Sequence, residues 1–362
     1  MNTKTLFTAI LLLFLFSIPN CTDSPETYTE EIIDGVRHVH NISPLWGDEE
    51  RIKLEFVQKI GDMDESEANY YFKMIMDAVE DSKGNIMVFE FNNRRIRKYD
   101  SIGNFLSATG DYFPDKTLIP SSMDIDRNDR LYLISWSKSI HVFDQGGNKI
   151  RAVPIPVTTS QFRIMNSGNI VCRKNDLDTK SENLLFIINM TGEILENFGE
   201  VKIFEAFQDI TEANRLSFEL DEDDNILVSF NHQNRVEKYS PDGILLWTLD
   251  RPLKYELIKY IDVKSVQNGK EVIHTFPRFS DVSGSIGVDY KGRTWNIFYI
   301  KQFEKGDDYN QVLEFQIFDN NGILLAKVPL PDTGNVSTTF RIFGDNLYFI
   351  SDNCIYKYKI VE

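Results

Sequence analysis

The sequence predicts an all-β fold, a six-bladed β-propeller whose N-terminal strand closes the last blade, and three observations lead to it. The chain of 362 residues is rich in aromatic side chains, at 12%, and these favour strands. Two turn motifs recur through most of its length, with a mean spacing of about 52 residues. The last repeat lacks one strand, and a segment near the start of the chain supplies a matching one.

Each repeat contains two polar turns between strand-like runs. The first turn precedes an apolar strand, and its copies align at Asn85, Arg130, Asn169, Asn225, Arg293 and Asn346. The second has an aromatic residue or Ile, then Asp, Asn or Ser, two variable residues and Gly, at residues 99–103, 143–147, 188–192, 239–243 and 318–322. A polar turn between alternating runs predicts a hairpin. Each repeat therefore predicts four antiparallel strands, as in a propeller blade.

The closing strand is predicted from the two ends of the repeat array. The last repeat ends at Glu362, directly after its third strand. Residues 52–61 (IKLEFVQKIG) belong to no repeat, yet they end like the outer strands of other repeats. We expect this segment to complete the sixth blade, which would remove exposed strand edges. Residues 51–362 would then form one domain.

The clearest repeat also carries a family resemblance. Residues 83–110 read KGNIMVFEFNNRRIRKYDSIGNFLSATG, with a Gly-Asn turn, a polar loop, an Arg-Ile-x-x-aromatic strand and Asp-x-x-Gly, and residues 234–239 repeat the middle of this pattern. In these motifs the chain resembles NHL-repeat and TolB-like six-bladed propeller proteins of bacteria, over about residues 51–362. Exported propeller lipoproteins of unassigned function look most similar overall. The resemblance implies an architecture rather than an activity.

The first 21 residues predict an export signal. Residues 1–20 carry one cation, Lys4, before an apolar run that is too short to cross a bilayer, which is typical of a signal peptide. Residues 18–21 (IPNC) resemble a bacterial lipobox, so we expect Cys21 to be lipidated and residues 21–50 to form an acidic tether. The protein would be membrane-anchored at the cell envelope through its lipid alone. Ordinary cleavage near Cys21, leaving a soluble secreted or periplasmic protein, is the alternative.

The net charge of the chain bears on the classes of partner that it can bind, and its cysteine content bears on whether disulfides stabilise it. Lys plus Arg number 39 and Asp plus Glu 55, for a net charge of −16. This balance disfavours nucleic acid, because binding to the phosphate backbone depends on protein cations. Cys172 and Cys354 are too few for a disulfide scaffold, and we expect them to be buried thiols.

Candidate ligand-binding residues lie on the propeller face that carries the loops between second and third strands and between blades. Long insertions at residues 201–214 and 250–285 fall on this face, and such insertions often form a binding surface. Trp and Arg are enriched at binding hot spots. The candidates are Arg94, Arg95, Trp136, Lys138, His232, Gln233, Arg278 and Phe279. Ordinary surface insertions, with these side chains solvating hairpin tips or packing on neighbours, are the alternative.

No catalytic set, cofactor or metal site is predicted. His38 and His40 fall in the expected tether, and the acidic run 221–224 is predicted to be a solvated turn. We therefore expect non-enzymatic recognition of a protein, peptide or glycan at the cell envelope. The main alternative is a metal-dependent hydrolase or lactonase of the gluconolactonase type, with Asp124 and Asp289 contributing to a site in the central channel. A structural subunit of an envelope complex is a third class.

Overall fold

The computed structural model of the chain describes residues 26–61, 67–92, 95–109, 120–135, 138–204, 209–267, 270–333, 337–351 and 353–362. Cys21, Arg94 and Trp136, named above, lie outside the described residues. Within these ranges the structure is almost entirely β. One short α-helix, Ile210–Ala213, and one 3-10 helix, Tyr309–Gln311, are the helical elements of the described residues, and neither is long enough to cross a membrane.

The strands in chain order are β1 Tyr28–Ile33, β2 Val36–Asn41, β3 Lys53–Ile60, β4 Ile75–Glu80, β5 Ile86–Glu90, β6 Arg95–Tyr99, β7 Phe105–Thr109, β8 Pro120–Ile125, β9 Leu131–Ser135, β10 Ser139–Phe143, β11 Lys149–Pro154, β12 Phe162–Ile164, β13 Ile170–Arg173, β14 Asn183–Ile188, β15 Ile194–Glu200, β16 Leu216–Leu220, β17 Ile226–Phe230, β18 Val236–Tyr239, β19 Leu245–Asp250, β20 Ile258–Gln267, β21 Lys270–Phe279, β22 Ser283–Val288, β23 Thr294–Tyr299, β24 Leu313–Phe318, β25 Leu324–Pro329, β26 Thr339–Phe343, β27 Asn346–Ile350 and β28 Ile355–Val361.

The strands pair mainly with their neighbours in the chain, in antiparallel order. Sheet I contains β4–β7, sheet II β8–β11, sheet III β12–β15, sheet IV β16–β19 with β2 and β1 added at its outer edge, sheet V β22–β25, and sheet VI β26–β28 with β3. Strands β20 and β21 form a separate hairpin. The repeats found in the sequence therefore correspond to sheets I–VI.

Side-chain hydrogen bonds explain why the turn motifs recur. The Asp81 carboxylate accepts the backbone N–H groups of Lys83 and Asn85 and the side-chain amide of Asn85. An Asp that bonds its own backbone in this way stabilises a tight turn. Equivalent bonds occur at Asp100, Asp126, Asp144, Asn189, Asp221, Asp289 and Asp319. The turn at residues 221–224 thus belongs to the hairpin, but it is not the solvated turn that was predicted. The Asp221 carboxylate is buried and paired with the buried ammonium group of Lys238 at 2.9 Å, and Asp224 is also buried.

The predicted closing strand corresponds to β3, which pairs antiparallel with β28 at the end of the chain. The strand is followed by Gly61, whose φ is +121°. A Cβ atom at this position would lie 2.4 Å from the carbonyl oxygen of Asn353. The junction between the two ends of the chain therefore requires glycine.

Among the residues that the structure describes, the hydrophobic core is divided into six clusters, each lying between two sheets that are neighbours in the chain or, in one case, between sheets VI and I. Because both faces of most sheets are covered, their strands are buried on both sides, as β5 (IMVFE) shows. Polar contacts join the same pairs of sheets. They are Asp77 to the Met123 amide, Asp124 to the Ile164 amide, Arg163 to Glu219, Ser229 to Ser283, Ser285 to Thr338, and Arg341 to Asp77.

The structure differs from the predicted tether at residues 28–41, which form the hairpin of β1 and β2. Strand β2 pairs in parallel with β19 at the edge of sheet IV, and Val39 is fully buried there. The Asn41 side chain donates to the Gly322 carbonyl at 3.0 Å and accepts from the Leu324 amide at 2.7 Å. Backbone pairing and these amide contacts attach the segment to the folded body, so His38 and His40 lie in a strand.

The two remaining cysteines are buried, and neither takes part in a disulfide. Cys172 lies in β13, and Cys354 precedes β28. The prediction of buried thiols is confirmed.

Candidate functional site

A cavity of about 440 Å³, here called the central cavity, opens where the first strands of the six sheets begin. Hydroxyl side chains line it from several sheets and connections: Ser121, Ser122, Ser160, Ser217, Ser285 and Thr339. Four arginines and one acid, Asp77, also line it, and the arginines are Arg163, Arg173, Arg215 and Arg341. A larger groove of about 730 Å³ lies elsewhere, along the outer strands β3 and β25.

Strand alternation places these polar groups at the centre. In β16, Leu216 and Phe218 are buried in the apolar core, whereas Ser217 and Glu219 project from the opposite face. Successive side chains of a strand point to opposite faces, so alternate positions of the first strands can be polar and still belong to a buried strand. The cavity therefore combines an apolar outer wall with an inner lining of hydroxyl and charged groups.

An ion-pair cluster lies beneath the central cavity and draws on five sheets. The Arg163 Nε atom lies 2.9 Å from both carboxylate oxygens of Glu219. Arg341 reaches three acids, with nitrogen–oxygen distances of 3.3 Å to Asp77, 3.2 Å to Asp124 and 3.4 Å to Glu219. Two guanidinium groups thus hold three buried carboxylates together across the centre of the molecule.

The burial of this cluster sets its protonation. Burial opposes ionisation of Glu219, but the charges of Arg163 and Arg341 outweigh it and lower the pKa of Glu219. Burial raises the pKa of Asp124, against the opposing effect of the same two arginines. For Arg341, burial is outweighed by the surrounding carboxylates, which raise its pKa and keep it charged. The cluster is a structural crosslink, since removing one member would leave a buried charge uncompensated.

The mouth of the central cavity is cationic. Arg173, at the end of β13, donates to the Leu216 carbonyl at 2.8 Å, to the Ser160 hydroxyl at 3.3 Å and to the Asn175 side-chain oxygen at 3.4 Å. Arg215 is exposed and lies 3.6 Å from Glu212. Neutral oxygens fix the position of Arg173 without neutralising its charge.

The rim beside this mouth contains three of the predicted ligand-binding residues. His232 Nε2 lies 2.9 Å from a Glu212 oxygen, and His232 Nδ1 lies 3.2 Å from the Ser280 carbonyl. The Phe279 ring stacks on the His232 ring, with centroids 5.5 Å apart, and Gln233 donates to the Ala213 carbonyl at 2.9 Å. His232, Gln233 and Phe279 are all buried. The structure brings them together, and their contacts join loops of the rim.

The other predicted residues within the described ranges are exposed and do not line the central cavity. Arg95 begins β6, Lys138 precedes β10, and Arg278 lies opposite Lys259 in the β20–β21 hairpin. A role for Arg95, Lys138 and Arg278 in ligand binding stays a prediction.

The long insertion before sheet V forms the β20–β21 hairpin, and its base lies at the rim through Phe279. Residues 268–269 lie outside the described residues, and the flanking residues Gln267 and Lys270 pair with each other. Tyr260 and Phe276 are exposed on its two strands. The insertion is therefore an ordered, largely solvent-exposed hairpin.

The central acids do not fit a metal site of the predicted lactonase type. Among the described residues no group of three or more His, Cys, Asp or Glu side chains is placed to hold a metal ion. Asp77, Asp124 and Glu219 converge on the guanidinium group of Arg341, which occupies the place where a cation would neutralise them. Asp289 lies in a turn, bonded to Arg293 and to the Trp295 ring nitrogen.

Sequence reasoning identified only Asp124 among the groups at the centre. It missed Arg163, Arg173 and Arg341, and the hydroxyl lining. The available signal was a polar residue at every second position in a short strand that is otherwise apolar, as in LSFEL at residues 216–220 and TFRIF at residues 339–343.

No protein-family model matches the sequence, and no curated protein sequence matches it. Solved structures do match in three dimensions. A proposed exported protein from Bacteroides fragilis is 10% identical, with a TM-score of 0.56 over 90% of this chain and 99% of that chain. A member of the DUF4221 family from Bacteroides vulgatus is 9% identical, with a TM-score of 0.55 over 86% of this chain and 98% of that chain.

Virginiamycin B lyase from Staphylococcus aureus is also similar in structure. It is 11% identical, with a TM-score of 0.50 over 86% of this chain and 100% of that chain. Identities this low carry information about the fold and none about the activity. The likenesses support an all-β fold of the propeller type.

Proposed function

We propose that this protein is a non-enzymatic recognition module of the cell envelope, which binds a peptide, protein or glycan at the face where the central cavity opens. The observation that carries the proposal is the cavity itself. Its volume of about 440 Å³ lies in the range of small-molecule sites, which is about 300–1,000 Å³. Several hydroxyl groups and Arg173 converge there, and such directed polar groups give a site its specificity.

The proposal includes a six-bladed propeller closed by its N-terminal strand. Sheets I–VI follow one another in the chain, and both a hydrophobic cluster and polar contacts join sheet VI to sheet I. The pairing of β3 with β28 supports closure, because it fixes the two ends of the array in one sheet. A ring of this kind gathers the first strands around one axis.

We further propose that the protein is exported and anchored by lipid at Cys21. The apolar run within residues 1–20 and the cysteine that follows it support export and lipid anchoring. The structural likeness to a proposed exported protein of Bacteroides fragilis is consistent with it. The metal-dependent alternative gains no support, because an arginine bridges the central acids.

The test blocks the cavity and leaves the rest of the surface unchanged. We expect the purified mature chain to bind members of an array of envelope-derived peptides and oligosaccharides. Ser217→Trp places a large ring in the cavity lining and should abolish that binding. Ser107→Trp is the matched control, because Ser107 is exposed on the outer strand β7 of sheet I.

Circular dichroism and the melting temperature confirm that both variants are folded. Loss of binding in Ser217→Trp alone supports the proposal. Equal binding by the two variants would place the ligand outside the central cavity, and turnover of an array member by the wild-type chain would overturn the non-enzymatic assignment.

A further inference from the structure

We propose that the ligand group recognised in the central cavity is an oxyanion, a carboxylate or a phosphate, and that Arg173 is its principal partner. The inference rests on the proposed function, since it concerns the same cavity, and it adds the chemical class of the ligand. An anionic sugar or a peptide carboxylate would carry such a group.

The first argument is the local charge. The protein has a net charge of −16, yet four arginines and a single acid, Asp77, line the cavity. Arg163 and Arg341 are paired with the three acids of the ion-pair cluster. Of the other two, Arg215 lies 3.6 Å from the exposed Glu212, and Arg173 has no carboxylate partner among the described residues.

The second argument is the surroundings of Arg173. Its three hydrogen-bond acceptors are a backbone carbonyl, a hydroxyl and an amide oxygen, all neutral. No carboxylate of the described residues comes within ion-pair distance of it, although it is partly buried. A partly buried cation without a counter-ion favours binding of an anion, because the anion replaces the lost hydration.

The electrostatics of the mouth agree with this geometry. Burial and the nearby charge of Arg215 lower the pKa of Arg173 to about 10, against a smaller opposing effect of Glu212. Arg173 is therefore still charged at neutral pH, and two like charges share the mouth. A bound anion would relieve the repulsion between them.

The third argument is the supply of hydroxyl donors. Ser217 lines the cavity together with Arg173, whereas the Ser160 hydroxyl already donates its hydrogen to the Asn175 side-chain oxygen at 2.8 Å. The Ser121 hydroxyl also lines it and finds no hydrogen-bond partner among the described residues. A guanidinium group with neighbouring hydroxyls matches the several acceptor positions of an oxyanion.

The experiment compares three probes with one hexose ring: glucuronate, glucose 6-phosphate and glucose. Titration calorimetry with the mature chain should show binding of one or both anionic probes and at least tenfold weaker binding of glucose. Arg173→Gln should weaken binding of the anion by about ten- to a hundredfold, the usual contribution of a charged hydrogen bond. Arg127→Gln, which removes an exposed arginine from the turn between β8 and β9, should change it less than twofold.

Arg215→Gln guards against misfolding of the first variant, because Arg215 is exposed and its removal leaves the ion-pair cluster intact. We expect Arg215→Gln to weaken binding of the anionic probe several-fold and to leave the melting temperature of the protein unchanged. Tighter binding of glucuronate would assign the recognised ligand group as a carboxylate, and tighter binding of glucose 6-phosphate would assign it as a phosphate. Failure of both anionic probes to bind at millimolar concentration overturns the inference.

The inference and the proposed function fail in different ways. A neutral array ligand that is lost in Ser217→Trp but unaffected by Arg173→Gln would overturn the anion assignment and leave the cavity as the binding site. Binding of the anionic probes that survives Ser217→Trp would overturn both.

Discussion

At the scale of single residues, Asp224 shows how the sheets are joined. Its φ is +64°, in the left-handed region where a side chain is strained. Glycine occupies the corresponding turn position at Gly84 and Gly292. The Asp224 carboxylate instead accepts the amide hydrogens of Asn166 at 2.6 Å and Ser167 at 3.1 Å, both in the turn between β12 and β13 of the neighbouring sheet III. These contacts between sheets offset the local strain.

Asp224→Gly should therefore destabilise the protein by about 1–3 kcal/mol, although it removes about 1 kcal/mol of backbone strain. The free energy of unfolding in urea measures the change. Asp34→Gly is the matched control, because Asp34 also has a positive φ of +51° but is exposed in the turn between β1 and β2. The control should be neutral or slightly stabilising. Equal stability of the two variants would show that the contacts of Asp224 contribute nothing.

At the scale of elements, a histidine helps to hold the N-terminal hairpin on sheet IV. His40 in β2 lies 2.9 Å from Asp250 in β19 and 3.2 Å from Glu31 in β1. Burial opposes its protonation, but the two carboxylates outweigh burial and raise the pKa of His40 above 6.5. The stabilisation is complete below the unfolded pKa and is lost as the pH rises through the folded pKa.

His40→Gln should consequently cost more stability at about pH 5 than at about pH 8. Urea unfolding of both proteins at the two pH values gives the difference. In an Asp250→Asn background the pH-dependent part should shrink, because the nearer carboxylate is gone. A stability difference that does not change with pH would contradict the assigned role of His40.

At the scale of the whole molecule, the charge of the body bears on how the chain is attached. With a net charge of −16, its surface does not favour anionic lipid, so attachment depends on the proposed acyl chains at Cys21. Each buried methylene contributes about 0.8 kcal/mol. Cys21→Ala should therefore move the protein from the membrane fraction to the soluble fraction of cells. Cys172→Ala should remain with the membrane, and membrane attachment of Cys21→Ala would refute the anchor.

Much of the fold could be predicted because its determinants are local. The turn at Asp81 closes through partners no more than four residues away, so its pattern is visible in the sequence. The segment that becomes β3 could be assigned because the last repeat lacked a strand. The hairpin of β1 and β2 could not, since β2 pairs with β19 more than 200 residues away and its acidic neighbours are typical of a tether.

Most of the candidate site could not be predicted from the sequence, because it is formed by contacts between residues that are far apart in the chain. Arg341 and Asp77 are 264 residues apart, and no local pattern announces their contact. His232 was correctly placed in a loop, whereas Phe279, predicted in the long insertion, ends strand β21. Their stacking and burial come from the packing of two distant connections against each other. Alternation showed which strands were buried and did not show which polar side chains met at the centre.

The contact between the N-terminal hairpin and sheet IV limits the distance between the folded body and a bilayer. An extended chain spans about 3.5 Å per residue, so the seven steps from Cys21 to Tyr28 reach at most about 25 Å. With the hairpin detached, the same chain would be free as far as Leu45, whose backbone amide donates to the Leu324 carbonyl, and its reach would be about 84 Å. For a protein anchored at Cys21, the hairpin thus keeps the body close to the lipid headgroups. Detaching it would lengthen this reach more than threefold, so that the body could move much farther from the bilayer.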